Sequence, residues 1–408
     1  MTISRLQVTR WLIIVAMMWM PPAPACSDEF NVTPSIAVRG EYNDNVFFSV
    51  NDAEDDTITT VTAGLKMSDR TEILDWMLKA EASPFFYADH DDLGDVDQDY
   101  QGRIGYQATQ RLSLNADAGF RVDNRPDRDI EETGLVADSE KRFSINGNVG
   151  MGYALSEIHR VSVSYAYGEN DWHDDDSGHI DYQGHSVTLG TTYAIDRWLR
   201  ESSLGISVGY NQYDYDAADI KSGYGSVGLT SMLNEIFQIQ VVGGVRYTET
   251  QYEALTPVLV PPGVLVLQQK EEKTDGWGGV GSLGLDYLGE RTRCRLSLSH
   301  DLRPASGTRG PSNLTRAVFN MNHKLHRRLT VGLYSSYFIN SADADEFYAQ
   351  SIDEENFNIR PRVRWEFLDH FTLEAAYTYR HLTDNKGDTR TERQVVSLQL
   401  AFGYPLWD

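Results

Sequence analysis

The sequence of 408 residues predicts an all-β protein, a transmembrane antiparallel up-and-down β-barrel of about eighteen strands. The first observation is an alternation of apolar and polar residues over 357–367, 371–380 and 396–402, which indicates strands because successive side chains leave a strand on opposite faces. The second is that short turns alternate with long, mostly acidic loops. The third is that no apolar run approaches the roughly 20 residues that a spanning helix needs, which excludes a helical membrane protein.

The first 25 residues resemble an export signal. Two arginines are followed by a short apolar core at 11–20 and by Ala-Pro-Ala at 23–25, a small-residue cleavage site. A membrane anchor is disfavoured because this core is too short to span a bilayer. A lipid anchor on Cys26 is a weaker alternative, since no Leu stands at the expected place before it. We therefore predict a signal peptide at 1–25 and a barrel domain at 26–408.

The predicted strands begin at residues 34–42, where Ile36, Val38 and Tyr42 share one face. Short turns are predicted near residues 68–70, 110, 155–158, 196–199, 234–235, 289–290, 326–327 and 369. Long loops are predicted at 43–56, 89–99, 123–138, 171–180, 214–220, 250–274, 303–312, 341–354 and 384–389. An even number of strands puts both termini on the short-turn side, which is the periplasm in bacterial outer-membrane barrels.

The last strand is typical of such barrels. Leu398, Leu400, Phe402 and Tyr404 alternate up to the C-terminus and resemble the terminal recognition signal of outer-membrane barrels, although the chain ends in Asp408 instead of an aromatic residue. A soluble β-sandwich or propeller is the alternative for alternating strands. Long, numerous strands after an export signal favour the membrane barrel.

Positive charge is predicted on the inner face of the barrel, although the formal net charge of the chain is −24. Alternation turns many Arg and Lys inward and leaves most acids in the long loops. Rings of Arg and Lys are how pores favour anions. The alternative is that these cations pair with acids on neighbouring strands, or lie at the rim. The predicted anion-selective residues form two ladders and two single positions: Arg291, Arg293, Arg295; Arg360, Arg362, Arg364; Arg380; Arg393.

The loop predicted at 250–274 has an apolar, uncharged middle at 257–267. An exposed apolar stretch of this kind is unfavourable in water, so we expect it to fold inward as a constriction or lid, to pack on other loops, or to meet a partner. The alternative is that it prolongs the two flanking strands as a hairpin.

No motif in the sequence predicts catalysis or a metal site. The acidic stretches 89–99 and 173–176 contain oxygen ligands suited to Ca²⁺, but Leu93 and Tyr100 stand where an EF-hand needs oxygen ligands, so we interpret both stretches as solvated charge. Cys26 and Cys294 are far apart and form no disulfide or zinc pattern. We expect no metal, no cofactor and no enzymatic activity.

Residues 41–47, with the sequence Glu-Tyr-Asn-Asp-Asn-Val-Phe, resemble the β-barrel porin 2 family, in which the first strand commonly ends in a similar segment. The resemblance extends over the mature chain through strand spacing and aromatic alternation. It implies a barrel of about eighteen strands that takes part in exopolysaccharide secretion. It also implies a periplasmic polysaccharide export protein and an inner-membrane polymerase system as partners, and it carries no catalytic residues.

The sequence therefore predicts an outer-membrane channel that takes part in secreting an exopolysaccharide, with inward Arg favouring anionic groups. The expected partners are a polysaccharide or a small anionic solute and the lipid of the outer membrane, and no nucleic acid. A general or solute-specific diffusion porin is the first alternative. An outer-membrane enzyme such as a lipase and a structural or adhesive barrel are less favoured alternatives.

Overall fold

The chain forms a closed barrel of eighteen antiparallel strands, which confirms the predicted fold class and strand number. The computed structural model describes residues 30–125, 140–173, 181–197, 199–215, 218–260, 264–304, 311–342 and 352–406, with only the backbone described at 253–260, 264–270, 304, 311 and 352. The predicted signal peptide, Cys26 and Asp408 lie outside these residues, so the predictions about them stay predictions.

Each strand pairs with the next one in sequence, and β1 pairs with β18 to close the ring. The strands are β1 Asn31–Asn43, β2 Asp56–Arg70, β3 Leu74–Tyr87, β4 Asp95–Gln107, β5 Leu112–Asp123, β6 Arg142–Ala154, β7 His159–Trp172, β8 Tyr182–Ala194, β9 Ser202–Tyr215, β10 Ala218–Met232, β11 Phe237–Val260, β12 Val264–Leu288, β13 Thr292–Pro304, β14 Pro311–His326, β15 Leu329–Ala342, β16 Ile352–Leu368, β17 Phe371–Asp384 and β18 Thr389–Gly403. A single short 3₁₀ turn, Asp91–Leu93, lies between β3 and β4. None of the described residues belongs to a helix long and apolar enough to cross a membrane.

The outer face of the barrel carries an apolar band bounded by two rings of aromatic residues. Trp277 on β12 is 77% exposed, a degree of exposure that lipid accommodates better than water. Two such rings around an apolar band are the signature of a membrane-spanning barrel. The ring at the short-turn end includes Trp76, Tyr106, Tyr153, Tyr193, Tyr287 and Trp365, and the ring at the long-loop end includes Tyr42, Phe86, Tyr100, Tyr165, Tyr210, Tyr247, Trp277, Tyr337 and Tyr377.

The strands are longer and the loops shorter than the sequence predicts. The stretch 95–99 was expected in a loop, but it forms the start of β4, and 68–70 is the end of β2 instead of a turn. The chain reverses at 71–73 in that hairpin, where Thr71 and Leu74 exchange hydrogen bonds. The turns at 155–158 and 233–236 lie where they are predicted. Strand pairing continues beyond the apolar band, because backbone hydrogen bonds satisfy N–H and C=O groups whatever the side chains are.

The apolar stretch at 257–267 has the hairpin arrangement and not that of an inward lid, as far as its described backbone extends. β11 and β12 stay paired from Phe237 opposite Tyr287 up to Val260 opposite Val264. The neighbouring strands end earlier, since β10 pairs with β11 only as far as Tyr252. The hairpin therefore projects beyond the end of the neighbouring strand β10.

Side chains on the inner face are packed at the long-loop end and open at the short-turn end. Near the long loops, Arg142, Arg246 and Phe338 are buried. Near the short turns, Arg103 and Arg293 are exposed although they point into the lumen. The lumen therefore has a solvated half next to the short turns and a tightly packed half next to the long loops.

Candidate functional site in the lumen

The inner face of β13–β18 forms a wall on which cations outnumber acids; we call it the basic wall. Cross-strand registers turn Arg360, Arg362 and Arg364 inward at successive alternate positions of β16, as predicted. The same holds for Arg293 and Arg295 on β13. The described inward cations of the basic wall are Arg293, Arg295, Arg303, Arg316, Lys324, Arg360, Arg362, Arg364, Arg380 and Arg393, and the described inward acids are Asp301, Glu354, Glu366, Glu374 and Asp384.

The ladder predicted on β13 is shorter than expected. Arg291 lies in the turn between β12 and β13 and is exposed there. Strand pairing ends before Arg291, although the alternation of arginines in the sequence continues to it. A charged residue at the rim is solvated whichever way it points, so the alternation there does not report a strand. Arg291 is therefore a rim residue, and of the three predicted ladder residues only Arg293 and Arg295 line the lumen.

Several cations of the basic wall have acidic partners, which gives weight to the alternative of structural pairing. Arg295 pairs with Asp286 of β12, with Nε 2.8 Å from Oδ1. The pairs of Arg360 with Glu374 and Arg364 with Glu366 are looser, at 3.8 and 3.9 Å. Exposed pairs of this kind contribute little to stability, so they orient the guanidinium groups without cancelling the excess of cations.

Two other arginines of the ladders differ in their surroundings. Arg362 donates a hydrogen bond to the side-chain amide oxygen of Asn322 at 2.9 Å. Arg293 has no ion-pair partner among the residues that the structure describes, and it is exposed to the open half of the lumen. The positive charge of the basic wall in the open half is thus carried by Arg293, Arg295, Lys324 and Arg364.

Arg380 and Arg393 lie opposite each other on β17 and β18 in the packed half of the lumen. Both are buried. The guanidinium carbon of Arg393 lies 4.3 Å from the ring centroid of Phe48, a favourable contact between a cation and the face of an aromatic ring. This position makes them part of the packing of the lumen, in contrast to the solvated arginines of β13.

Phe48 belongs to the first long loop, residues 44–55, which is fixed against the last strand. Asp44 accepts a hydrogen bond from the backbone N–H of Gln394 at 2.6 Å, and Asn45 donates one from its side chain to the backbone oxygen of Glu392 at 3.1 Å. Both residues belong to the segment 41–47. That segment therefore joins the two ends of the barrel sheet and directs Phe48 onto Arg393, a role that no sequence pattern predicts.

The inner face of β1–β6 carries alternating charges that pair with each other. Arg142 and Asp123 form a buried pair at 3.1 Å, and Arg121 contacts Asp99 at 3.2 Å. Asp99 and Asp123 fall within or at the edge of predicted loops, and the sequence reasoning missed both as lumen residues. Acids at alternate positions of short acidic segments are the sequence feature that indicates such lumen residues.

The inner face of β8–β10 is an uncharged wall. All described inward residues on these strands are small, hydroxylated, amide or aromatic, with an isoleucine and a methionine at the two ends of β10. The inward charges that the sequence predicts do not identify this wall, because it carries none. The inward residues are Tyr182, Gly184, Ser186, Thr188, Gly190 and Thr192 on β8; Ser203, Gly205, Ser207, Gly209, Asn211, Tyr213 and Tyr215 on β9; and Ala218, Ile220, Ser222, Tyr224, Ser226, Gly228, Thr230 and Met232 on β10.

Inward glycines let large side chains lie across a neighbouring strand. A Cβ added to Gly332 of β15 would lie 2.6 Å from Nε of Arg362, and one added to Gly278 would lie 2.9 Å from the guanidinium carbon of Arg246. Real Cβ atoms essentially never approach so closely. Because the glycines leave this room, the side chains lie along the wall and do not extend across the lumen.

His90 and two carboxylates, those of Glu54 and Asp56, connect the first two long loops outside the membrane band. Nδ1 of His90 lies 2.9 Å from the carboxylate of Asp56, and Nε2 lies 2.7 Å from that of Glu54. These two hydrogen bonds, the one with Asp56 being the stronger influence, raise the pKa of His90. Burial works to raise the pKa of Asp56, but hydrogen bonds from His90 and from backbone N–H groups outweigh it and lower that pKa.

Metal binding has no geometric support in the described part of the chain, where no group of three or more His, Cys, Asp or Glu residues is arranged around a common point. The stretch 89–99 is divided between a short loop and β4. Of the second acidic stretch, only His173 lies within the described residues. Cys294 is a free thiol on the outer face, opposite Tyr287 and Met321.

The fold and the outer face define a membrane-spanning β-barrel. Solved structures with a similar fold include the Pseudomonas aeruginosa barrel OccK2 (OpdF), at 7% identity and a TM-score of 0.46 over 93% of this chain and 99% of that one. They also include Pseudomonas aeruginosa OpdL, at 9% identity and a TM-score of 0.43 over 93% and 99% of the two chains. A third is the ferric-catecholate import receptor Fiu from E. coli K12, at 9% identity and 0.46 over 92% and 82%. No protein-family model and no curated protein matches the chain.

Proposed function

We propose that this protein is an outer-membrane channel that takes part in releasing an anionic exopolysaccharide, with its short turns facing the periplasm. The observation that carries the proposal is the basic wall, whose arginines Arg293, Arg295 and Arg364 are exposed in the open half of the lumen. A narrow cavity lined by one sign of charge concentrates ions of the opposite sign without a specific binding site. Short turns on the periplasmic side are the usual arrangement of such barrels.

The asymmetry of the lumen supports a direction for this transport. With the short turns in the periplasm, the solvated half would receive a polymer chain from the periplasmic side, and the packed half would close the barrel towards the outside. The packed half contains the contact of Phe48 with Arg393 and the buried pair of Arg142 with Asp123. Release of a polymer would require these contacts to separate, as when an export partner acts on the barrel from the periplasm.

The test is to locate the surface polysaccharide in a strain that lacks the gene. We expect the polymer to be made and to accumulate in the periplasm, and the wild-type gene to restore its release. A variant with Gln at Arg293, Arg295 and Arg364 should restore release only weakly, while a variant with Lys at the same three positions should restore it. Normal surface polymer in the deletion strain, with no second exporter present, would contradict the proposal.

Diffusion of small anionic solutes is the second candidate. The observation that favours it is the dense packing of the long-loop half, which leaves less room for a polymer than for a small solute. A diffusion porin needs no partner, so the purified barrel should conduct ions steadily in a planar bilayer. Steady conductance together with normal polymer release in the deletion strain would favour this candidate.

A further inference from the structure

Two tyrosines of the uncharged wall lie flat against the barrel. Tyr224 of β10 lies over Gly209 of β9, so that a Cβ on this glycine would lie 2.5 Å from the tyrosine hydroxyl oxygen and equally close to the ring. Tyr213 of β9 lies over Gly184 of β8, where a Cβ would lie 3.2 Å from the ring carbon Cδ1. Each ring therefore rests on a glycine, and each tyrosine keeps part of its surface exposed to the lumen.

Neighbouring side chains fix the orientation of both rings. The hydroxyl of Tyr224 shares a hydrogen bond of 2.8 Å with the hydroxyl of Thr188, two strands away, so the ring is held at its far end. Tyr213 packs against the buried cluster that contains Tyr215 and Ile220. Both tyrosines are half-buried, as expected for a ring with one covered face. A fixed ring loses little conformational freedom when a ligand covers its open face.

The chemistry around the rings suits an uncharged, hydroxyl-rich ligand with apolar faces. Ser186, Asn211 and Ser226 point inward beside the two tyrosines, and none of the described inward residues of β8–β10 is charged. Gly209 and Tyr213 are four residues apart on β9, which places the two rings roughly 13 Å apart along the strand. A chain of pyranose rings has this combination of C–H faces and hydroxyl groups, and it extends far enough to cover both rings.

We propose that Tyr213 and Tyr224 form a glycan-binding track on the uncharged wall. Pyranose rings stack on the open faces of the tyrosines, and the hydroxyl and amide side chains beside them exchange hydrogen bonds with sugar hydroxyls. The basic wall, on β13–β18 of the same lumen, attracts the acidic groups of the polymer. The track rests on the proposed function in taking a glycan as the cargo, and it divides recognition of the sugar from recognition of its charge.

The test measures the binding of two hexasaccharides to the detergent-solubilised full-length barrel by isothermal titration calorimetry. Maltohexaose supplies pyranose rings without charge, and hexagalacturonate supplies pyranose rings with carboxylates. Tyr224→Ala should weaken the binding of both by about tenfold, the effect of losing one aromatic stacking contact. Tyr224→Phe keeps the ring and should bind nearly as well as the wild type. Tyr210→Ala removes a lipid-facing tyrosine of β9 and should leave both affinities unchanged.

A matched variant of the basic wall separates recognition of the sugar rings from recognition of their charge. Replacing Arg360, Arg362 and Arg364 together by Gln should weaken hexagalacturonate binding and leave maltohexaose binding unchanged. Equal affinity of Tyr224→Ala and wild type for maltohexaose would overturn the track, and so would a wild-type barrel that binds neither hexasaccharide. Measuring polymer release in the deletion strain tests the proposed export independently of the binding experiment. Binding that depends on Tyr224, in a protein whose deletion leaves polymer release normal, would keep the track and reject export.

Discussion

Replacing Arg360, Arg362 and Arg364 together by Gln should reduce the preference of the lumen for anions. The three guanidinium groups follow one another on alternate positions of β16, so the variant removes three charges from one strip of the basic wall. Two of the acids that they face, Glu374 and Glu366, remain and are no longer compensated. Gln at position 362 still donates a hydrogen bond in the direction of Asn322, so the wall should keep its shape.

The magnitude follows from the distances inside a lumen. One unit charge acts on an ion ~10 Å away with ~0.4 kcal/mol in a water-like medium. At 0.1 M salt the Debye length is ~10 Å, which reduces this energy to ~0.15 kcal/mol. Three charges therefore change the free energy of a passing ion by ~0.5 kcal/mol, with opposite signs for an anion and a cation. The permeability ratio of chloride to potassium should fall about fivefold.

The assay is the reversal potential of single barrels in planar bilayers under a potassium chloride gradient. The expected result is a shift towards the potassium equilibrium potential, larger at 0.1 M than at 1 M salt, because screening weakens the effect. The control replaces the same three residues by Lys, which keeps the charge and should keep the potential. A Gln variant with the reversal potential of the wild type would refute the electrostatic role of the basic wall.

Three further predictions concern stability. A Cβ at Gly244 would lie 2.7 Å from Cβ of Ser226, so Gly244→Ala should lower the free energy of unfolding by about 1–3 kcal/mol. A Cβ at Gly243 meets nothing within 4 Å, so Gly243→Ala should raise the free energy of unfolding by up to ~1 kcal/mol. Urea titration of both variants in lipid vesicles measures the two effects. Equal effects of the two substitutions would contradict the structure. The pKa of His90 is raised, so protonated His90 stabilises the loops fully below the ordinary histidine pKa. This stabilisation is lost as the pH rises through the raised value. Amide exchange in the first two loops should therefore accelerate with pH more than its intrinsic pH dependence requires. His90→Gln should abolish this extra dependence. Asp44→Ala removes the acceptor of the Gln394 N–H and should speed exchange of that amide, whereas an unchanged exchange rate would show that the hydrogen bond contributes nothing.

The barrel and its short turns could be predicted because lipid leaves few choices. Within the bilayer outward positions are predominantly apolar, so alternation at Phe357, Ile359 and Val363 indicates both the strand and the face that meets lipid. The same constraint predicts that Arg360 and Arg362 face the lumen, and the registers turn both inward. Above the aromatic ring this constraint ends, because both faces of a strand are solvated. Asp97 and Asp99 therefore appear as loop residues in the sequence although they belong to β4.

The remaining features of the lumen depend on contacts that sequence periodicity does not contain. Tyr224 lies over Gly209 only because the register of β9 and β10 places them opposite each other. Phe48 reaches Arg393 only because the first loop is fixed to the last strand. A one-residue shift of register would separate Tyr224 from Gly209 while leaving the alternation of both strands unchanged. The inward glycines and serines of the sequence indicate the uncharged wall. They do not indicate how Tyr213 and Tyr224 are oriented on it.

The junction of β1 with β18 also has a kinetic meaning. The sheet stays an open curved ribbon until its two ends meet, and those ends are separated by almost the entire length of the chain. Closing so long a loop is slow, so we expect the hydrogen bonds that Asp44 and Asn45 make to the last strand to form late in folding. Contacts that are absent from the transition state affect the rate of unfolding and leave the rate of folding unchanged. We therefore expect the segment 41–47 to govern how long a finished barrel remains closed, more than how quickly it assembles.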